Sequence, residues 1–332
     1  MTSRLLEQTA QPSRDAGHWS SGPFDRSYYV GIPQRPAMKT LVLAGVLFLL
    51  TLCTCLVAGT QFALAFAHNQ SISIDEFVQA FKLLYHQPAA LLSGLPFAVT
   101  LLTILLAHEL GHFFACRRHH IRSSYPFFIP APTLIGTFGA FILIRSPIRT
   151  TRALFDVGAS GPFVGFVVAL PALVYGVVHA NHISGLADPS NSDVVFGIPL
   201  MLQFLSAAIH PGVNVSDLLL HPVGRAAWVG LFATSLNLLP AGQLDGGHIL
   251  RALSPRSHRI VSTILPAFLL LLGVFRHWNG WFVWAAILFG LSFLRIPRIY
   301  YPVPLDLGRR IGAVLALIVF LLCFMPAPIV NL

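Results

Sequence analysis

Residues 40–67 carry no charged side chain across 28 consecutive positions. A bilayer's hydrocarbon core takes about 20 apolar residues as a helix. Within it, a helix is the form that pairs every backbone polar group inside one segment. Six further apolar runs follow at 89–116, 155–178, 226–239, 260–275, 281–294 and 311–330; the run at 226–239 is short and stops at Pro240. The chain as a whole is 55% hydrophobic and 10% charged, where a soluble domain carries about 25% charged residues. These runs predict an all-α polytopic membrane protein with about seven transmembrane helices in a lipid bilayer. Residues 38–332 read as one integral-membrane domain. Residues 1–37, polar and rich in proline with Glu7, Asp15 and Asp25, read as a flexible tail.

Lysine and arginine orient the runs. Arg35 and Lys39 precede the first, whereas the next loop has Asp75, Glu76 and a single Lys82. Arg117, Arg118 and Arg122 follow the second run, and Arg145, Arg149 and Arg152 precede the third. Residues 180–220 contain Asp188, Asp193 and Asp217 and no lysine or arginine; Arg251, Arg256 and Arg259 come next, then Arg276 alone, then Arg295, Arg298, Arg309 and Arg310. Under the positive-inside rule this alternation puts the N-terminus in the cytoplasm and the C-terminus outside. It also accounts for the net charge of +9 without nucleic acid, for which no basic helix or aromatic-interleaved basic stripe is present. The tail lacks a signal-peptide core, and its acids argue against a transit peptide, so the expected setting is a bacterial inner membrane. Cys53, Cys55, Cys116 and Cys323 form no CxxC pair and read as small buried apolar residues.

Two stretches fit no simple span. Residues 123–144 are apolar but broken by Pro126, Pro130, Pro132, Gly136 and Gly139, with basic flanks on both sides. Both ends are then cytoplasmic, and the segment reads as a re-entrant loop with a strand-like part at 136–144. Irregular backbone at that depth must be buried in protein or line a cavity. Residues 196–209 are apolar but only 14 long, the length of a segment on the outer interface.

The second run contains His108-Glu109-Leu110-Gly111-His112. On a helix, positions four apart share a face, so both imidazoles can turn to one metal ion with Glu109 beside them as general base. With 14 His and three Glu in 332 residues, about 0.005 such patterns arise by chance. Ionisable groups within a span are functional by default. Imidazole suits Zn2+, whose catalytic sites use three protein ligands and keep one open position. His108 lies eight residues before Cys116, about 12 Å along a helix, with Arg117 marking the cytoplasmic interface. The site is therefore expected inside the bilayer, nearer the cytoplasmic side.

A third ligand must come from few acids. Asp156 starts the third run, where a helix N-terminus favours a carboxylate for structural reasons; the tail and outer-loop acids are remote, and Asp306 is in a polar inner loop. Asp245 remains, in a segment from Asn237 to His248 where Pro240 ends the helix and Gly242, Gly246 and Gly247 permit a sharp turn. An ordinary turn is the alternative reading of Asp-Gly-Gly. His248 is a candidate to support the ligands or a plain loop histidine. His119 and His120 read as part of the basic interface, and Trp278, Trp281 and Trp284 as an interfacial belt.

His108-Glu-Leu-Gly-His112 together with Asn237-x-x-Pro240-x-x-x-Leu244-Asp245-Gly246 resembles the site-2 protease family of intramembrane zinc metalloproteases. The resemblance covers residues 89–253, the catalytic core it implies. It implies that His108, His112 and Asp245 hold zinc, that Glu109 activates water, and that Asn237 orients substrate or polarises the scissile carbonyl. Residues 136–144 resemble that family's re-entrant strand-rich loop, making Gly136, Phe138 and Gly139 candidates for substrate contact. The 37 residues from Gly185 to His221 are too few for the PDZ domain of some members, and no CBS domain is expected after the last span, which points to a compact form.

The function expected is hydrolysis of a peptide bond within or near the transmembrane segment of a single-pass membrane protein. One alternative is a membrane-embedded zinc peptidase acting on soluble or lipidated substrates, against which the Asp-Gly turn argues. Another is a metal transporter, which would show pseudo-repeats, or a non-catalytic relative, which would lack Glu109 or a ligand. The sequence implies no oligomeric state.

Overall fold

A computed structural model describes residues 38–71, 82, 86–186, 194–276, 278–292 and 301–331. The tail and the loop residues Asp75, Glu76, Asp188, Asp193, Arg295 and Arg298 lie outside the described residues.

The first apolar run forms helix α1, Met38–His68. Its hydroxyls are satisfied within the helix: Thr51 donates to the Leu47 carbonyl at 2.7 Å and Thr60 to that of Leu56 at 2.9 Å. A 3-10 turn at Pro88–Gly94 leads into α2, Leu95–Arg118. Helix α3, Thr151–Val178, opens with Thr150 capping the Ala153 N–H. There follow α4 (Leu200–Ile209), α5 (Pro222–Asn237), α6 (Asp245–Leu253), α7 (Pro255–Arg276), α8 (Gly280–Ser292) and α9 (Leu307–Cys323). Among the described residues, four segments are long and apolar enough to cross a membrane: Met38–His68, Pro88–Arg118, Thr151–Val178 and Pro255–Arg276.

Over the described residues, the remaining three expected spans are shorter than a bilayer. Helix α5 is about 24 Å long at 1.5 Å per residue, but 13 of its 16 residues are buried. Gly224 lies against Gly176 of α3, and Gly230 against Ile104 of α2. Small residues at such crossings let helices approach closely, and α5 runs through protein rather than lipid. The last run, expected to 330, ends as a helix at Cys323 because Pro326 and Pro328 follow. Proline removes a helical donor and disfavours helix in the residue before it. Helix α8 is described over the 13 residues Gly280–Ser292 and packs back on α7, with the Phe282 ring against Gly273.

Two kinds of short sheet sit at the helix ends. Strands β1 (Phe127–Pro130) and β2 (Thr137–Phe141) form an antiparallel hairpin, with Phe128 opposite Ala140. Two α1 side chains fasten its turn: Thr54 donates to the Gly136 carbonyl at 2.6 Å, and Gln61 to that of Leu134 at 2.8 Å. Strand β3 (Asn181–His182) pairs with β5 (Leu218–Leu219), and β4 (Val194–Phe196) with β6 (Ile329–Asn331). The apolar stretch at 196–209 thus divides into the end of β4 and helix α4.

Some packing differs from expectation. Cys53 is exposed, whereas Cys55, Cys116 and Cys323 are buried as expected. Trp281 is no belt residue: it is buried, donates to the Pro326 carbonyl at 2.8 Å and packs edge-on to Trp278. It pins the Pro-rich end of the chain to α8.

Candidate metal centre

Helix α2 carries His108, Glu109 and His112, and all three are buried. The Nε2 atoms of His108 and His112 come within 3.1 Å of each other. The Nδ1–H of His112 donates to the Val157 carbonyl on α3 at 2.7 Å. A carbonyl can only accept, so the Nε2 of His112 keeps its lone pair for a ligand.

Asp245 reaches the same point from the other side. Its Oδ2 is 3.3 Å from the Nε2 of His108 and 3.3 Å from that of His112. The Asp-Gly-Gly segment is a helix start rather than a plain turn: Asp245 is the first residue of α6. Of the three glycines expected to make the bend, only Gly242 takes left-handed backbone, at φ +59. Gly246 and Gly247 instead serve close approach. A β-carbon at Gly247 would lie 2.6 Å from the Ala241 carbonyl, and one at Gly246 would meet that of Leu238.

The set fits a small tetrahedral ion. Three corners of a tetrahedron with arms of 2.0–2.1 Å, the zinc–nitrogen and zinc–oxygen range, are separated by about 3.3 Å. The observed separations are 3.1, 3.3 and 3.3 Å. Among the described residues this is the one cluster of three such side chains able to share an ion.

The model of peptidase family M50 matches residues 96–275, more than half of the chain and the whole of this cluster. The chain belongs to peptidase family M50. The resemblance to site-2 proteases is thereby borne out. Among its M50 relatives, the probable zinc metalloprotease EGY1, chloroplastic, of Oryza sativa subsp. japonica is 35% identical over 165 residues, covering 48% of this chain and 28% of the relative. Its namesake in Arabidopsis thaliana is 33% identical over 237 residues, 66% of this chain and 40% of the relative. The probable zinc metalloprotease EGY2, chloroplastic, of Arabidopsis thaliana is 33% identical over 205 residues, 60% and 35% respectively. The chain spans two fifths or less of the length of these relatives. Their chloroplastic names give no support to the bacterial inner membrane expected from the tail.

In this M50 chain, α3 forms a bed for the cluster. Gly161 lies under the His112 ring, Gly165 beside that of His108, and Gly158 beneath His248 and the Asp245 carbonyl. His248 thus packs behind the ligand turn. Asn237, the last residue of α5, sets its amide 3.3 Å from the Nε2 of His108. The carboxylate of Glu109 faces the Ile142 N–H, just beyond β2.

The three hairpin candidates separate. Gly136 (φ +85) is a packing residue: a β-carbon there would come within 2.7 Å of α1 backbone, and its carbonyl is taken by Thr54. Phe138 is 73% exposed, and Gly139 (φ +106) has open space where a β-carbon would be. Both remain available to a ligand.

Two supports were not visible in the sequence. His258 on α7 bonds the Gly242 carbonyl at 3.0 Å, and the Ser262 hydroxyl accepts the Gly242 N–H at 3.0 Å. Together they clamp the turn that delivers Asp245. Asp156 accepts from Arg309 of α9 at 2.8 and 2.6 Å and bonds His119 at 2.7 Å. His119 is therefore tied into an ion cluster joining α2, α3 and α9, which corrects its reading as plain basic interface. The i, i+4 pair His258 and Ser262 lies 16 and 20 residues beyond Gly242, so its spacing alone did not mark the contact.

Proposed function

We propose that this chain is a zinc-dependent endopeptidase that cuts a peptide bond within or near the transmembrane segment of a single-pass membrane protein. The observation that carries the reading is the convergence of His108, His112 and Asp245 with Glu109 inside an apolar helical bundle. His108, His112 and Asp245 would hold the ion, which when bound supplies Lewis acidity to the scissile carbonyl and the attacking water. Glu109 takes the proton of that water and returns it to the leaving amine. Asn237 aims its amide at the reacting carbonyl.

A membrane helix hides its carbonyls in i→i−4 bonds, so the substrate must unwind, and its freed groups then need partners. The Leu143 N–H bonds across to Ser124, so by the alternation of a strand the N–H groups of Ala140 and Ile142 point the other way. Ile142 faces Glu109. The outer edge of β2 thus offers strand addition beside the base.

The seven-span topology is part of the proposal. Two contacts support it: the Asp156–Arg309–His119 cluster joins the ends of α2, α3 and α9, and β4 pairs with β6. Both agree with the arginine alternation, with the hairpin as a re-entrant loop and the site nearer the cytoplasm. A bacterial inner membrane rests on the tail's composition alone.

The test is cleavage of a model single-span substrate by wild type and Glu109→Gln, with zinc measured per chain. The variant should retain zinc and lose at least about 100-fold in rate. A variant that cuts as fast as wild type sinks the proposal.

A further inference from the structure

A second cavity lies at the far end of α5 from the metal cluster. Arg225 is twelve residues before Asn237, about 18 Å along the helix. The cavity has a volume of about 80 Å³, opens to the surface, and is lined by Val195, Phe196, Leu202, Ser216, Trp228 and Arg225 among others. At about 10–15 Å³ per water-sized site, this is room for a few heavy atoms, such as a carboxylate and a short apolar chain.

Arg225 is out of place by three measures. It is a lone arginine at the end where the 180–220 segment carries none, against the charge alternation. It sits in the first turn of α5, where the positive end of the helix dipole disfavours a cation. It is only 8% exposed, yet no carboxylate pairs with it among the described residues. Its guanidinium stacks over the Phe196 ring at 4.0 Å and reaches the Trp228 ring at 6.0 Å. Ring faces offset part of the charge, but among the described residues its five N–H donors have no oxygen acceptor. A buried, unpaired cation aimed into a cavity is the arrangement of an anion site, and the helix N-terminus adds to it.

We infer that this cavity binds a carboxylate bearing an apolar substituent. One guanidinium matches one carboxylate, whereas a phosphate would bring in more charge than it neutralises. The indole N–H of Trp228 is already given to the Gly197 carbonyl at 2.7 Å, so the remaining named walls, Ser216 apart, offer apolar contact. Such a group occurs in a small organic acid and at the C-terminus of a peptide ending in an apolar residue.

The full chain in lipid nanodiscs is titrated calorimetrically with hexanoate, acetyl-Ala-Ala-Leu and acetyl-Ala-Ala-leucinamide. Saturable binding of an acid, with the amide at least tenfold weaker, is expected. Arg225→Gln should weaken acid binding at least tenfold. Val195→Trp, which fills the cavity and keeps the arginine, should do the same and carries the test if Arg225→Gln does not fold. Tighter binding of the peptide assigns the site to a chain terminus, and equal or tighter binding of hexanoate to a small acid. No binding of either acid to wild type, equal binding of the amide, or wild-type affinity in the folded variants overturns the inference.

Discussion

Gly161 of α3 lies against the imidazole of His112, closer than any β-carbon could stand. The same ring is held at Nδ1 by Val157, so it cannot swing aside without losing that bond. Gly161→Ala is expected to displace Nε2 from Asp245 and weaken zinc binding by about 10- to 100-fold, the effect typical of disturbing a ligand's support. Chelator competition measures it. Gly290→Ala on α8, where nothing lies within 4 Å of the added carbon, should leave zinc affinity unchanged. Equal affinities in both variants would show that the α3 bed does not place the ligand.

Asp245 is expected to depend on groups that never touch it. Ser262→Ala strands the Gly242 N–H, which costs about 1–3 kcal/mol when buried. His258→Ala removes a buried side chain and the partner of the Gly242 carbonyl. Both variants should lower zinc affinity several-fold and slow cleavage, with retention of the helical circular dichroism spectrum. Wild-type zinc affinity and rate in both would mean the turn holds itself.

The His108–His112 half of the candidate cluster was legible because its chemistry is local: two histidines four apart on a helix share a face whatever surrounds them. Asp245 was reached by elimination among twelve acids, but the roles of its neighbouring glycines were not. Gly242 needs a positive φ, whereas Gly246 and Gly247 are there because carbonyls from residues 238–242 press on them. Only tertiary packing shows the difference. The long spans followed from hydropathy. Helix α5 was marginal by length because protein, not lipid, surrounds it. The Asp156–Arg309 pair, 153 residues apart, left no local pattern, and His119 accordingly looked like interface.

That pair should hold α9 in place. The Arg309 fork grips both Asp156 oxygens, and Arg309 also meets Asp306, which caps the helix. The two principal side chains are about one-fifth exposed, so the loss on breaking the pair falls below the about 3–5 kcal/mol of a fully buried one. Asp156→Asn should destabilise by about 1–3 kcal/mol, and Arg309→Lys by less than Arg309→Gln because it keeps the charge but not the fork. Unfolding in detergent followed by circular dichroism gives the values. Additive effects in the Asp156→Asn/Arg309→Gln double variant would show that the two residues are not coupled.

Strand addition makes a demand on one backbone atom. Ala140 lies in β2 opposite Phe128, and its N–H points away from β1 by the alternation set at Leu143. Ala140→Pro removes that outward donor without taking a ladder bond from the hairpin, a placement proline tolerates at a strand edge. The variant should keep wild-type zinc content, since no ligand lies on the hairpin. Its cleavage of a single-span substrate should fall about tenfold, near the 1–1.5 kcal/mol of one backbone hydrogen bond. Phe138→Ala, which trims an exposed side chain but keeps its N–H, should fall less. If Ala140→Pro cuts at the wild-type rate, the substrate does not pair with this edge, and the hairpin serves only to cover Glu109.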